Sequence, residues 1–205
     1  MVLQRSPHRA VIWGYGIVGA NITVVLNDTK YTTNVTRGPI NYGVWKVKLD
    51  AQKAGGPFDV MAYHDIFGFT SKIKLKNVLF GDVWVCSGQS NMQLTLSMAF
   101  NMSDELRIAS SYNQVRLFTV GDLEFKLPLY DLMSIVQPWS IPSADTLAGP
   151  PWTYFSAVCW MYGRRLHDVL GVPVGLISSA FAGSTIEAWI SSDALQKCCP
   201  NIPNW

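Results

Sequence analysis

Charge is scarce in this 205-residue chain. Only 15% of its residues are Asp, Glu, Lys or Arg, and 16 basic against 14 acidic side chains leave a net charge of +2. With a pI near 8.3 and no cluster of Lys or Arg, nothing points to a nucleic-acid partner. Long apolar runs are missing as well. A membrane-spanning helix needs about 18 consecutive apolar residues or more. Residues 154–170 contain Arg164 and Arg165, and the run over 172–182 is too short, so no membrane span is expected. The start of the chain lacks a basic stretch followed by an apolar core, and no signal peptide is visible. The cysteines, Cys86, Cys159, Cys198 and Cys199, have no metal-ligand spacing. Neither a metal nor another cofactor is expected. Repeats and low-complexity tracts are absent too. What remains is an ordinary globular composition, 49% hydrophobic, with length for one large domain or two small ones.

The pattern changes near residue 80. Before it, residues 11–15, 21–26, 31–35, 44–49, 58–63 and 72–80 are rich in β-branched or aromatic side chains. Val44-Trp45-Lys46-Val47-Lys48-Leu49 alternates as a half-buried antiparallel strand does. Gly38-Pro39, Asn41-Tyr42-Gly43 and Gly55-Gly56-Pro57 punctuate the strands. This spacing predicts a β-rich, sandwich-like domain over residues 1–80. From residue 81, the runs 82–86, 115–120 and 174–179 suit buried parallel strands. A helix is predicted over 154–170, with Phe155, Val158, Tyr162, Leu166 and Val169 on its apolar face. A polar excursion over 121–151 precedes it. The fold class is therefore α/β, with a parallel sheet and helices over 81–205 behind the sandwich.

Residues 83–92 read Val-Trp-Val-Cys-Ser-Gly-Gln-Ser-Asn-Met, an apolar strand breaking into a small-residue turn that carries Ser90. A strand-to-helix turn can hold a hydroxyl beside backbone amides that stabilise an oxyanion. Ser90 can equally cap a helix starting at Asn91. Four sequons, at Asn21, Asn27, Asn34 and Asn101, favour a glycosylated secretory product. Cys86 and Cys159 fit buried thiols or a disulfide, while the neighbours Cys198 and Cys199 do not pair with each other.

Gly81-Asp82-Val83-Trp84-Val85-Cys86-Ser87-Gly88-Gln89-Ser90-Asn91-Met92 closely resembles the first motif block of the sialate O-acetylesterase family, a branch of the SGNH serine hydrolases. Pro173-Val174-Gly175-Leu176-Ile177-Ser178-Ser179, followed by Gly183-Ser184-Thr185-Ile186-Glu187-Ala188-Trp189, resembles its second block. Met1-Val2-Leu3-Gln4, Ala10-Val11-Ile12-Trp13-Gly14 and Gly56-Pro57-Phe58-Asp59-Val60 resemble the family's early region. The resemblance covers nearly the whole chain.

It implies removal of O-acetyl groups from sialic acids or related acetylated sugars, in lysosomal or extracellular surroundings. Ser90 would be the nucleophile and, through its own N–H, an oxyanion donor. Gly183 would be the second donor, with an ordinary turn glycine as the competing role. Gln89 and Asn91 flank the nucleophile and suit holding the turn. Glu187 and Trp189 look like pocket-wall residues, against a helix-start charge and core packing respectively. Ala182 stands where the family usually has glycine. The family's Asp-x-x-His has no counterpart: three residues before His8, His64 and His167 stand Arg5, Met61 and Arg164. A Gln-Gly-Glu-Ser-like third block is not found either. The chain therefore reads as the front part of such an esterase, clipped at its beginning and catalytically incomplete. The alternatives are a non-catalytic carbohydrate- or protein-binding fragment, or an unstable truncated product.

Overall fold

The computed structural model describes residues 1–38, 42–123, 125, 129 and 131–198. The turn signals at Pro39 and Asn41, part of the excursion after residue 123, Cys199 and residues 200–205 lie outside the described residues. The chain divides into two compact units, Met1–Asp82 and Val83–Trp205.

The first unit is built from strands β1 (Val2–Gln4), β2 (Val11–Gly16), β3 (Asn21–Leu26), β4 (Thr29–Asn34), β5 (Thr36–Arg37), β6 (Gly43–Lys48), β7 (Gly55–Ile66) and the start of β8 (Phe69–Gly88). Strands β4, β3, β7 and β8 neighbour one another in that order, and β2, β6 and β5 form a second sheet. Pairing is antiparallel except where β1 runs parallel to β8. Ile12, Trp45 and Val47 from the smaller sheet and Ile22, Val24, Leu26, Val60, Val78 and Phe80 from the larger share one buried core. Short turns set the registers. Asn27 (φ 52°) opens the two-residue β3–β4 turn, a left-handed position that asparagine tolerates. Phe67 (φ 49°) and Gly68 (φ 82°) both take left-handed backbone between Ile66 and Phe69, as a type I′ hairpin turn requires.

The sequence suggests separate strands over 72–80 and 82–86, but β8 is continuous from Phe69 to Gly88. Gly81, where the pattern changes, lies within the strand, and the next residue, Asp82, is held by Arg5 through paired bonds of 2.7 and 3.1 Å. The interruption comes earlier. Between the pairs Val60↔Leu75 and Phe58↔Val78 the register shifts, and Asn77 sits there at φ 55°. The extra residue is a bulge.

In the second unit, β8 is followed by α1 (Ser90–Gln93), α2 (Met102–Ala109), β9 (Val115–Val120), β10 (Ile135–Ser140), α3 (Ala144–Leu147), α4 (Ala157–Leu170), β11 (Val174–Ala180) and α5 (Ser192–Cys198). The strand order is β10-β9-β11-β8. Strands β9 and β11 are parallel, from Val115↔Val174 to Thr119↔Ser178. The sheet is mixed, not purely parallel, because β10 pairs antiparallel with β9. Inside the expected excursion, Pro138 disguises this strand. It is tolerated because β10 lies at the sheet edge, where no further ladder needs its missing N–H.

Helix α4 is capped by Ser156, whose hydroxyl accepts from the Cys159 N–H. It ends at Gly171 in left-handed backbone (φ 63°). Its buried face differs from the expected one. Val158, Tyr162 and Val169 are 46%, 42% and 66% exposed, whereas Ala157, Cys159, Trp160 and Gly163 are buried. Two contacts fix this rotation. Cys159 is bonded to Cys86 on β8. At Gly163, a β-carbon would lie 2.3 Å from a methyl of Leu176 on β11, so the missing side chain lets helix and strand approach.

Candidate active site

The expected nucleophile sits where β8 gives way to helix. Gly88 adopts φ 152°, a backbone closed to side chains with a β-carbon, and turns the chain into α1. Ser90 is the first residue of α1. Gln89 is its N-cap and makes no side-chain capping bond. The capping alternative for Ser90 therefore fails. Its half-buried hydroxyl instead donates to Gln89 Oε1 at 2.7 Å, while Asn91 is exposed.

The Gly183 loop comes to the same place from β11. Past the strand end, the Phe181 N–H donates to the Gly88 carbonyl at 2.9 Å, which joins the exits of β11 and β8. Ser184 closes a turn onto Phe181, through its N–H at 3.3 Å and its hydroxyl at 2.7 Å. Gly183 holds φ 80° within it, with nothing inside 4 Å of where a β-carbon would stand. Its backbone, not crowding, is what requires glycine.

Glu187 and Trp189 lie on the 3-10 turn Ile186–Trp189 that follows. The Trp189 Nε1–H donates to Ser184 Oγ at 2.9 Å, and the ring is partly exposed, so it braces the loop and does not pack in the core. The Glu187 carboxyl is held below its usual range by the Thr185 hydroxyl and by its own N–H.

Two further residues complete the arrangement. Gln93 Oε1 accepts from the Ala182 N–H at 2.7 Å, and its Nε2 donates to Asp122 Oδ2 at 3.1 Å and to the Trp152 carbonyl at 3.4 Å. Burial pushes the Asp122 carboxyl up, and the bond from Gln93 opposes that shift. No local pattern marks either residue. The contacts span 89 and 29 positions, and the only sequence signal is a polar side chain three places after Ser90.

Within this unit, His167 is remote from the turn. Its Nδ1 lies 2.7 Å from the Val172 carbonyl, at the start of β11 and about 20 Å of strand from Phe181. A cleft of about 320 Å³ lies beside Cys86–Cys159, walled by Trp84, Val85, Ser87, Met92, Val158 and Tyr162. None of the expected site residues lines it. The expected site residues gather instead at the exits of β8 and β11, the end of the sheet at which open α/β folds bind ligands.

No protein-family model matches the chain. Sialate O-acetylesterases of Rattus norvegicus and Mus musculus are 45% identical to it over its full length, and that of Homo sapiens is 43% identical over 97% of it. The chain spans 38% of the length of each of these relatives. The crystal structure of a carbohydrate acetylesterase from Xanthomonas citri superposes with a TM-score of 0.81 at 29% identity, covering 96% of this chain and 42% of that one. With this identity sustained from end to end, the chain is a homologue of the sialate O-acetylesterases over the part of their length that it spans.

Proposed function

We propose that this chain carries the nucleophile and oxyanion donors of a serine esterase that removes O-acetyl groups from sialic acids or related acetylated sugars. The observation that carries the reading is the meeting of the Ser90 turn with the Gly183 loop, through Phe181 N–H to Gly88 and Ala182 N–H to Gln93. The names of the relatives and of the structural neighbour support acetyl ester chemistry on sugars.

In the proposed course, Ser90 Oγ attacks the acetyl carbonyl carbon and gives its proton to a base. The negative oxygen of the tetrahedral intermediate accepts bonds from the Ser90 and Gly183 N–H groups, each worth roughly 3–4 kcal/mol in the transition state. Collapse expels the sugar hydroxyl, which takes the proton, and leaves an acetyl-serine. Water then attacks that ester, and acetate leaves with Ser90 restored. Gln89, Asn91, Glu187 and Trp189 line the approach to the acetylated sugar. No Asp-x-x-His occurs in these 205 residues, so the base comes from a segment outside them, and the chain alone turns over slowly. A serine without its base retains about a thousandfold over water.

Secretory surroundings fit the same reading. Asn21, Asn27, Asn34 and Asn101 are all exposed, and a disulfide joins Cys86 to Cys159, a bond typical of oxidising compartments. Enzymatic deglycosylation of the secreted protein should increase its gel mobility; an unchanged band counts against glycosylation.

The test of the main reading is labelling with a fluorophosphonate, comparing the wild-type chain with Ser90→Ala. Labelling confined to the wild type is expected. A longer form that cleaves acetyl esters equally fast with alanine at position 90 would sink the proposal.

A second reading rests on the first unit alone. A groove of about 590 Å³ there is lined by Trp13, Tyr15, Trp45, Tyr63, His64, Ser71 and aliphatic residues, with no Asp, Glu, Lys or Arg. Such a lining favours an uncharged ligand, as a non-catalytic saccharide-binding role requires. Binding of neutral oligosaccharides that survives Ser90→Ala but not Trp13→Ala would favour it.

A further inference from the structure

We propose that Gln93 is a positioning residue that sets the Gly183 amide against the Ser90 turn. This rests on the reading of Ser90 as nucleophile and Gly183 as oxyanion donor.

Helix α1 is a single turn, so Ser90 and Gln93 stand three residues apart on the same short rigid piece. From there one planar amide reaches three other segments. Its oxygen accepts from Ala182, the residue before Gly183, at 2.7 Å. Its nitrogen donates to Asp122, just past β9, at 3.1 Å, and to the carbonyl of Trp152, ahead of α4, at 3.4 Å.

The orientation of that amide is fixed by its partners. The Ala182 N–H can only donate, and the Trp152 carbonyl can only accept. Ionised Asp122 likewise only accepts. Flipping the group would set an NH₂ against an N–H and an oxygen against a carboxylate. All three bonds would be lost, with like groups set against each other.

Pinning Ala182 matters because the next peptide carries the Gly183 N–H. Gly183 is in left-handed backbone, Ser184 closes the far side of its loop onto Phe181, and on the nucleophile side two bonds limit that peptide's rotation. The loop is held at Phe181 by Gly88 and at Ala182 by Gln93. Gln93 is thus the side chain through which the nucleophile helix dictates where the second donor points. Displacement of a donor by about 1 Å can lower a rate a hundredfold.

The test uses the full 205-residue chain, fluorophosphonate labelling of Ser90 and amide hydrogen exchange at Ala182, with the melting midpoint as control. Gln93→Leu removes every bond, and Gln93→Glu keeps an acceptor for Ala182 but sets a second carboxylate against Asp122. Both should slow labelling by at least about tenfold and speed exchange at Ala182. The double variant Gln93→Glu/Asp122→Asn restores a donor opposite an acceptor and should regain most of the lost rate, which a mere packing role would not produce. Wild-type labelling speed in Gln93→Leu, unprotected Ala182 exchange in the wild type, or no recovery in the double variant would each overturn the proposal. Labelling that persists in Ser90→Ala overturns the nucleophile reading instead. The catalytic role of Gln93 then falls with it, while protection at Ala182 still reports whether the clamp exists.

Discussion

Cys86 is joined to Cys159 across 73 residues of sequence, with Cα atoms 5.9 Å apart. The bond ties β8, four residues before Ser90, to the first turn of α4. Both cysteines belong to the buried core of the second unit, so the link reinforces packing that already exists.

Removing it should be felt mainly as lost stability. Cys86→Ala combined with Cys159→Ala is expected to lower the unfolding free energy by about 2–5 kcal/mol. Urea unfolding of the wild type with and without a reductant should show the same loss. Coincident curves would mean that the bond contributes nothing.

Glu105 on α2 is the polar counterpart of that link. It is buried, accepts from Trp160 Nε1 at 2.8 Å, and pairs with Arg164 at 2.9 Å. Glu105→Ala removes the acceptor of the Trp160 N–H and leaves Arg164 with Asp168, 3.5 Å away on the same helix, and should destabilise by about 3 kcal/mol. Glu105→Gln keeps an acceptor for Trp160 and should be milder. Chemical denaturation of the two variants separates the charge from the hydrogen bond.

Gly163 sets propensity against packing. Alanine is worth up to about 1 kcal/mol more than glycine in a helix. Its β-carbon, however, would press on fully buried Leu176, and overpacking costs about 1–3 kcal/mol. Packing should win, so Gly163→Ala is expected to lower the melting temperature. In a double-mutant cycle, Leu176→Val should relieve part of the loss; simple additivity would refute the clash.

Asp122 predicts a pH dependence of defined sign. Burial raises its carboxyl, so the folded chain holds that proton to higher pH than the unfolded chain does. From the ordinary carboxylate value near 4 up to the raised one, the folded state binds more protons. Its stability therefore falls as pH rises through that window. Asp122→Asn should flatten the slope and be no less stable at neutral pH. Unfolding curves at about pH 4 and 7 for both chains test this, and an unchanged slope would assign it to another group.

Much of the fold was legible because local chemistry and tertiary demand agree. β3 and β9 run over the expected residues, and β11 extends one further, since β-branched runs suit a buried sheet. Where they disagree, the contacts are distant. The gap expected at Gly81 is bridged by one continuous strand, with the charge of Asp82 next to it paired to Arg5 from the start of the chain. The apolar period of α4 suggests a face through Val158 and Tyr162, but the disulfide and Gly163 turn it toward Cys159 and Trp160. At the site, Ser90 and Gly183 stand out by motif. Gln93 and Asp122 do not, because a glutamine on a four-residue helix becomes informative only once folding brings Ala182 against it.

The Ser90 hydroxyl spends its proton on the neighbouring Gln89 amide, and that has a kinetic reading. Under the proposed role of Ser90, the hydroxyl has to rotate out of this bond before it can form another, so an incoming base competes with a partner only one residue away. In that role, reactivity toward esters would depend on a third group that draws the hydroxyl away from Gln89.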